Sequence, residues 1–115
     1  MIFNELKEFE KDVKRLSKKY RSIPDDLKVL RKVLAVSPNA RPPFSFEIND
    51  LGITSCVIKV RKIACKSLKG RGVKSGLRLV YAYFEAEQRI VLIELYHKNE
   101  KEKENRALIL KHFSS

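Results

Sequence analysis

Between Asp50 and Glu85 the chain has no carboxylate, yet this interval carries Lys59, Arg61, Lys62, Lys66, Lys69, Arg71, Lys74 and Arg78. Cations gathered without acids among them are suited to holding phosphate, either as a resting ligand or as a group that gains charge during a reaction. The run centres on Lys69 to Tyr83, KGRGVKSGLRLVYAY, a basic glycine-punctuated turn that feeds a strand. Arg78 is the only charged residue between Leu77 and Phe84, and a charge among apolar side chains needs a partner or a task. Two arrangements satisfy it: an ion pair with Glu94 across a β-hairpin, or a face shared with Lys59 and Arg61 and open to a ligand. For Lys66 to Lys74, the bland alternative to RNA phosphate contact is a solvated loop. With Gly70 and Gly72 in it, such a loop works by steering and counterion release and reads no bases.

Over 115 residues there are 25 Lys and Arg against 14 Asp and Glu, a formal net charge of +11. That balance favours polyanionic partners: nucleic acid, the ribosome or an acidic protein. Both ends mix the two signs, as solvated helices do. Cys56 and Cys65 lack CxxC spacing and the sequence shows no signal-peptide pattern, so reduced core thiols in a cytoplasmic protein are expected. His97 and His112 have no Cys, His or paired carboxylates at ligand spacing, so no metal site is expected. No apolar run approaches the roughly 20 residues of a membrane span, and the glycines deny the basic turn a continuous amphipathic helix. Tyr96 is open between packing and stacking on a base. His97 is open between general acid–base work and a structural role at a strand end. His112 is expected to be exposed and idle.

The elements that position these residues fit a single domain spanning 1–115. Leu6, Phe9, Val13, Leu16 and Tyr20 recur at three and four residues, which predicts an amphipathic helix from about Glu5 to Arg21. Ile2 and Phe3 form either a short strand before it or its first turn. Pro24, Asp25 and Asp26 mark a second helix start, and Leu27, Leu30, Val33 and Leu34 give that helix its apolar stripe. The short connection predicts an antiparallel helical hairpin. Ser37 to Asn49 contains Pro38, Pro42 and Pro43 and reads as a surface loop, in which Phe44, Phe46 and Ile48 alternate as an extended segment.

Cys56 to Cys65 alternates as a strand, with Ile58 and Val60 on one face, Lys59 and Arg61 on the other, and a disturbance near Lys62. Gly76 to Glu85 and Arg89 to His97 read as two further strands joined by a turn, hence an antiparallel hairpin. Tyr81 and Tyr83 share the face of Leu77 and Leu79 and read as core. Asn99 followed by Glu102 resembles a capping box that opens a last helix, with Leu108, Ile109 and Phe113 on its apolar side.

That order of elements, with FEKDVKRLSKKYRSIPDDL (Phe9 to Leu27), KVRK (Lys59 to Lys62), SGLRLVYAY (Ser75 to Tyr83) and IELYHKNEKE (Ile93 to Glu102), resembles the RelE/ParE superfamily of toxins from bacterial type II toxin–antitoxin modules. The resemblance covers nearly the whole chain, and its most specific part is SGLRLVY followed after a turn by an apolar strand ending in Tyr-His-Lys. It implies an α+β fold in which an N-terminal α-helical hairpin packs on a three- to four-stranded antiparallel β-sheet, with a C-terminal helix. For RelE-type members it implies a metal-independent, cofactor-free endoribonuclease that cuts messenger RNA in the ribosomal A site. There the ribose 2'-hydroxyl attacks the adjacent phosphate, and basic side chains move protons and stabilise charge.

Carried over by motif, Lys59 and Arg61 are the Lys-x-Lys/Arg pair of the first strand, Arg78 is the arginine of Ser-Gly-x-Arg, and Lys98 matches a basic position after the last strand. RelE's arginine just after that position and its later tyrosine have no counterpart, since this region reads Asn99 and then EKEKEN. Tyr96 or His97 then remains for proton handling, and alternation puts the two on opposite faces. Lys62, Lys66, Lys69, Arg71 and Lys74 are the expected RNA contacts. The implied partners are the ribosome with its messenger and a cognate antitoxin, in a toxin–antitoxin hetero-oligomer, with no membrane. ParE-type inhibition of DNA gyrase and non-catalytic RNA binding are the alternatives on the same fold.

Overall fold

A computed structural model describes residues 1–68, 70 and 72–114. The elements are β1 (Ile2–Glu5), α1 (Lys7–Lys19), α2 (Ile23–Val36), β2 (Ser45–Glu47), β3 (Cys56–Val60), β4 (Leu77–Phe84), a 3-10 turn (Glu85–Glu87), β5 (Arg89–His97) and α3 (Arg106–Phe113). They form a mixed α/β fold whose five strands are ordered β1-β5-β4-β3-β2.

The expected antiparallel sheet is thereby extended. β2 through β5 pair antiparallel, and β1 joins the edge of β5 in parallel. Four residues with one side chain turned inward, Phe3, give too short an alternation to separate a strand from a first helical turn. Beyond β1 the outer edge of β5 is unpaired, and Asp12 of α1 accepts the Leu95 N–H there at 3.0 Å.

The hydrophobic stripes form the helices for the expected reason. Phe9, Leu16 and Tyr20 of the first helical segment and Ile23, Leu27, Leu30 and Leu34 of α2 pack on Ile58, Val60, Leu79, Tyr81, Ile90, Leu92 and Leu95. Pro24 sits in the first turn of α2, with Asp25 and Asp26 near the positive end of its dipole. The opposite sheet face holds a second cluster of Val57, Val80, Ala82, Val91, Ile93 and Tyr96, covered by Leu108 and Ile109 of α3 with Ile48, Leu51 and Ile53 beside them.

The final helix begins later than the Asn99 capping box predicts. Asn105 is its cap, and the side-chain oxygen accepts the Leu108 N–H at 3.1 Å. The preceding segment stays irregular because buried Glu94 binds it, accepting from the Asn105 N–H at 2.9 Å and pairing with Lys101. β3 likewise ends at Val60, before the predicted Cys65. The chain then leaves the sheet, with the Arg61 N–H on the Phe44 carbonyl at 3.0 Å.

One irregularity governs the site. In the β4–β5 ladder Val80 faces Glu94 but Tyr81 faces Leu92, so Ile93 is an extra residue. This β-bulge resets the alternation. Ile90 and Leu92 face the helical hairpin and so do Leu95 and His97, while Val91, Ile93, Glu94 and Tyr96 face α3.

Gly76, just before β4, has φ +90, and a Cβ there would lie 2.7 Å from His97 Nε2. Gly76→Ala therefore combines left-handed strain of about 1–3 kcal/mol with a clash. Urea denaturation should show it destabilised by at least that much, with Gly76→Ala/His97→Ala recovering stability relative to the sum of the two single changes. Strict additivity would show that the clash contributes nothing.

Candidate nucleic-acid interface

The basic residues meet where β4 leaves the connection from β3. Arg61, Lys62, Lys74, Arg78 and Lys98 line a cleft of about 350 Å³ with Pro43, Phe46, Val73 and Gly76. Among the described residues no carboxylate lines it. Among the described residues none of these five cations is in an ion pair. Five like charges beside an apolar wall repel one another, and an anion entering the cleft relieves that repulsion.

Arg78 is held in place by carbonyls and not by an acid. One Nη donates to the Arg61 carbonyl at 3.1 Å and the Leu77 carbonyl at 3.2 Å. The alternative partner, Glu94, is already committed to Lys101 and the Asn105 N–H. Burial first, and the Arg61 charge second, hold the Arg78 pKa below its ordinary value, yet a guanidinium stays charged at neutral pH. The rest of its planar fork is left to grip two oxygens of a phosphate.

Arg61 lies over the Phe46 ring, its Cζ 5.7 Å from the ring centre. Lys98 is fixed by its own N–H on the Gly76 carbonyl at 2.8 Å. Lys62 and Val73 also line an apolar groove beside α2, so the two cavities adjoin.

Other expected site residues lie elsewhere. Lys59 is on the expected face, but its Nζ pairs with Glu104 at 2.9 Å and does not line the cleft. Burial works against the Glu104 carboxylate, and the Lys59 hydrogen bond and charge outweigh it, so its pKa lies below the ordinary carboxylate value. Lys59 is thus neutralised within the fold. His97 is 5% exposed and faces the helical hairpin, stacked on Tyr20 at 5.9 Å. Its Nε2 contacts the Ser75 carbonyl at 2.9 Å, and its Nδ1 accepts the Asn99 N–H at 3.1 Å. Both ring nitrogens are occupied by backbone on the side away from the cleft. Lys66 is exposed on the apolar groove, with its N–H on Asp26. Lys69 and Arg71 lie outside the described residues. His112 is exposed, as expected, with its Nε2 4.0 Å from Glu8.

Tyr96, left open between packing and stacking, is packed. It lies opposite Arg78 in the ladder, is 1% exposed, and sits under Lys101 Nζ at 4.9 Å. Its hydroxyl is buried without a hydrogen-bond partner among the described residues. Burial, then Glu104 and Glu94, push its pKa up to about 12. Cys56 is raised to about 11, mainly by burial, and both cysteines are free. Among the described residues no cluster of His, Cys, Asp and Glu is placed to hold a metal, and no helix is long and apolar enough to cross a membrane.

Sequence reasoning passed over Phe46 and Pro43 as cleft residues and Glu104 as the partner of Lys59. Alternation marks Phe46 as extended, but it carries no signal for which wall the ring joins.

Tyr96→Phe should leave stability at neutral pH unchanged or slightly higher, because the removed hydroxyl has no partner. A tyrosine that ionises near 10 when unfolded and about 12 when folded leaves stability at its full value below pH 10, because burial penalises only the ionised form. Stability then falls as pH rises from 10 through 12, where the unfolded state ionises before the folded one. Denaturant midpoints should therefore fall from pH 10 upward in the wild type and fall less steeply in Tyr96→Phe. A loss of about 1 kcal/mol at pH 7 would reveal a hydrogen bond to the hydroxyl.

Compared with known proteins, the chain matches no protein-family model and no curated protein.

Proposed function

We propose that the protein is a RelE-like toxin of a type II toxin–antitoxin module, acting in the cytoplasm as a ribosome-dependent messenger-RNA endoribonuclease. The observation that carries this reading is the convergence of Arg61, Lys62, Lys74, Arg78 and Lys98 on one cleft with no carboxylate in it. Cleavage forms a bond from the ribose 2'-oxygen to phosphorus and breaks the bond to the 5'-oxygen. The 2'-hydroxyl loses a proton, the departing oxygen gains one, and the phosphorane between them carries added negative charge. Arg78 and Arg61 are the groups to stabilise that charge, as preorganised cations at a developing anion. Lys62, Lys74 and Lys98 line the cleft, and their ammonium groups can donate a proton to the departing 5'-oxygen while the 2'-hydroxyl proton passes to water.

A cognate antitoxin is the proposed partner. Val29, Val33 and Val36 form an apolar stripe on α2, with Val36 84% exposed, bordered by Lys32, Arg41, Lys62 and Lys66. An amphipathic segment with flanking carboxylates would complement that surface.

One observation favours a second reading, a non-catalytic RNA-binding relative: neither imidazole nor carboxylate lines the cleft. The deciding experiment maps 5' ends by primer extension on ribosomes programmed with a defined message. New ends within the A-site codon are expected, reduced about 100-fold or more in Arg78→Ala and not restored in Arg78→Lys, which lacks the bidentate fork. Intact message with RNA still bound would replace the nuclease with the binder, and inhibition of gyrase supercoiling in its place would assign the ParE-type activity. In direct binding to single-stranded RNA, Arg78→Ala should lower the salt-dependence slope by about 0.7, one phosphate's share.

A further inference from the structure

We infer that Phe46, with Arg61 laid over it, is a stacking platform for one unpaired nucleobase next to the phosphate held by Arg78. The inference rests on the RNA reading of the cleft and names the part of the substrate that the apolar wall takes.

Three observations support it. Phe46 is 37% exposed and belongs to neither hydrophobic cluster, whereas Phe44 packs into one and Ile48 into the other. The fold therefore does not need this ring. Its strand is the edge of the sheet, paired only with β3, and places Phe46 opposite Lys59 on the face where Arg78 lies. The ring lines the same cleft as Arg78, and the Arg61 guanidinium is 5.7 Å from its centre.

Phosphate recognition alone calls for cations and donors. An exposed aromatic ring beside them is the other half of a nucleotide site, because every base has a flat face that stacks on an aromatic or a guanidinium. The cleft, about 350 Å³, lies at the small end of ligand cavities. It has room for a base splayed from its neighbours, whereas a base stacked inside a duplex offers the ring no free face. Stacking of this kind tolerates any base, so the platform selects single strands over duplexes and not one sequence over another.

The test is fluorescence anisotropy with a short labelled single-stranded RNA, the same RNA carrying abasic sites, and its duplex, using wild type, Phe46→Ala, Phe46→Trp and Arg78→Ala. Phe46→Ala should weaken binding of the intact strand about 5- to 150-fold, the range of base–aromatic stacking. It should leave the abasic strand and the salt slope unchanged, and Phe46→Trp should restore affinity. A 2-aminopurine in the strand should be quenched by wild type and not by Phe46→Ala. If Arg78→Ala weakens binding while Phe46→Ala binds intact and abasic strands as wild type does, the platform is disproved and the RNA reading stands. If wild type binds none of the RNAs, the RNA reading falls and the platform with it. A normal thermal transition for Phe46→Ala is expected from its place outside both cores, and it keeps a binding loss from being mistaken for unfolding.

Discussion

The pairing of β4 with β5 sets which side chains share a face, and the functional surface follows from it. Eight residues of β4 are matched against β5 with one interruption between Val80 and Tyr81. A strand buried on both faces has no hydrophobic pattern of its own to fix this phase, so the bulge at Ile93 decides it. Downstream of the bulge Tyr96 falls beside Arg78 and His97 falls on the hairpin side, where it stacks on Tyr20 and closes over Gly76. Without the extra residue the two would exchange faces, turning the imidazole toward the α3 side and the phenol into the helical core.

The same pairing distributes the charges. Glu94 is turned toward α3 and taken by Lys101 and the Asn105 N–H, Glu104 is taken by Lys59, and Glu100 reaches Arg15 and the His97 N–H. Glu94 in the last strand and Glu100 and Glu104 after it are thus each committed to a partner within the fold. The cleft cations remain uncompensated beside Pro43 and Phe46. A surplus of like charge destabilises a fold modestly where solvent and salt screen it. An incoming phosphate turns that surplus into binding energy, and the carbonyls under Arg78 have already fixed its orientation. The cleft combines a cationic floor with an apolar wall, the combination on which the proposed RNA reading rests.

Much of this architecture is readable in the sequence because its cause is local. Helical spacing of Phe9, Leu16 and Tyr20, Pro24 with Asp25 and Asp26 behind it, and the apolar run from Leu77 to Phe84 each announce an element through periodicity or backbone chemistry. The absence of acids between Asp50 and Glu85 likewise announces a basic surface, since charge is a property of composition. What the sequence left open or placed wrongly has causes at a distance. β1 exists because β5 offers it an edge, and α3 starts at Arg106 because a glutamate on β5 captures the chain ahead of it.

The sequence by itself determined that two helices would precede a sheet, and that a run of cations from Lys59 to Arg78 would lack acids among them, with Lys98 after the last strand. Only the tertiary structure decided which of the cations are free. Lys59 and Arg78 are each the one charged residue of their strand, yet one meets Glu104 and the other meets two carbonyls. Partnership depends on which residues, distant in the chain, are brought within a few ångströms, and pattern along the chain carries no record of that.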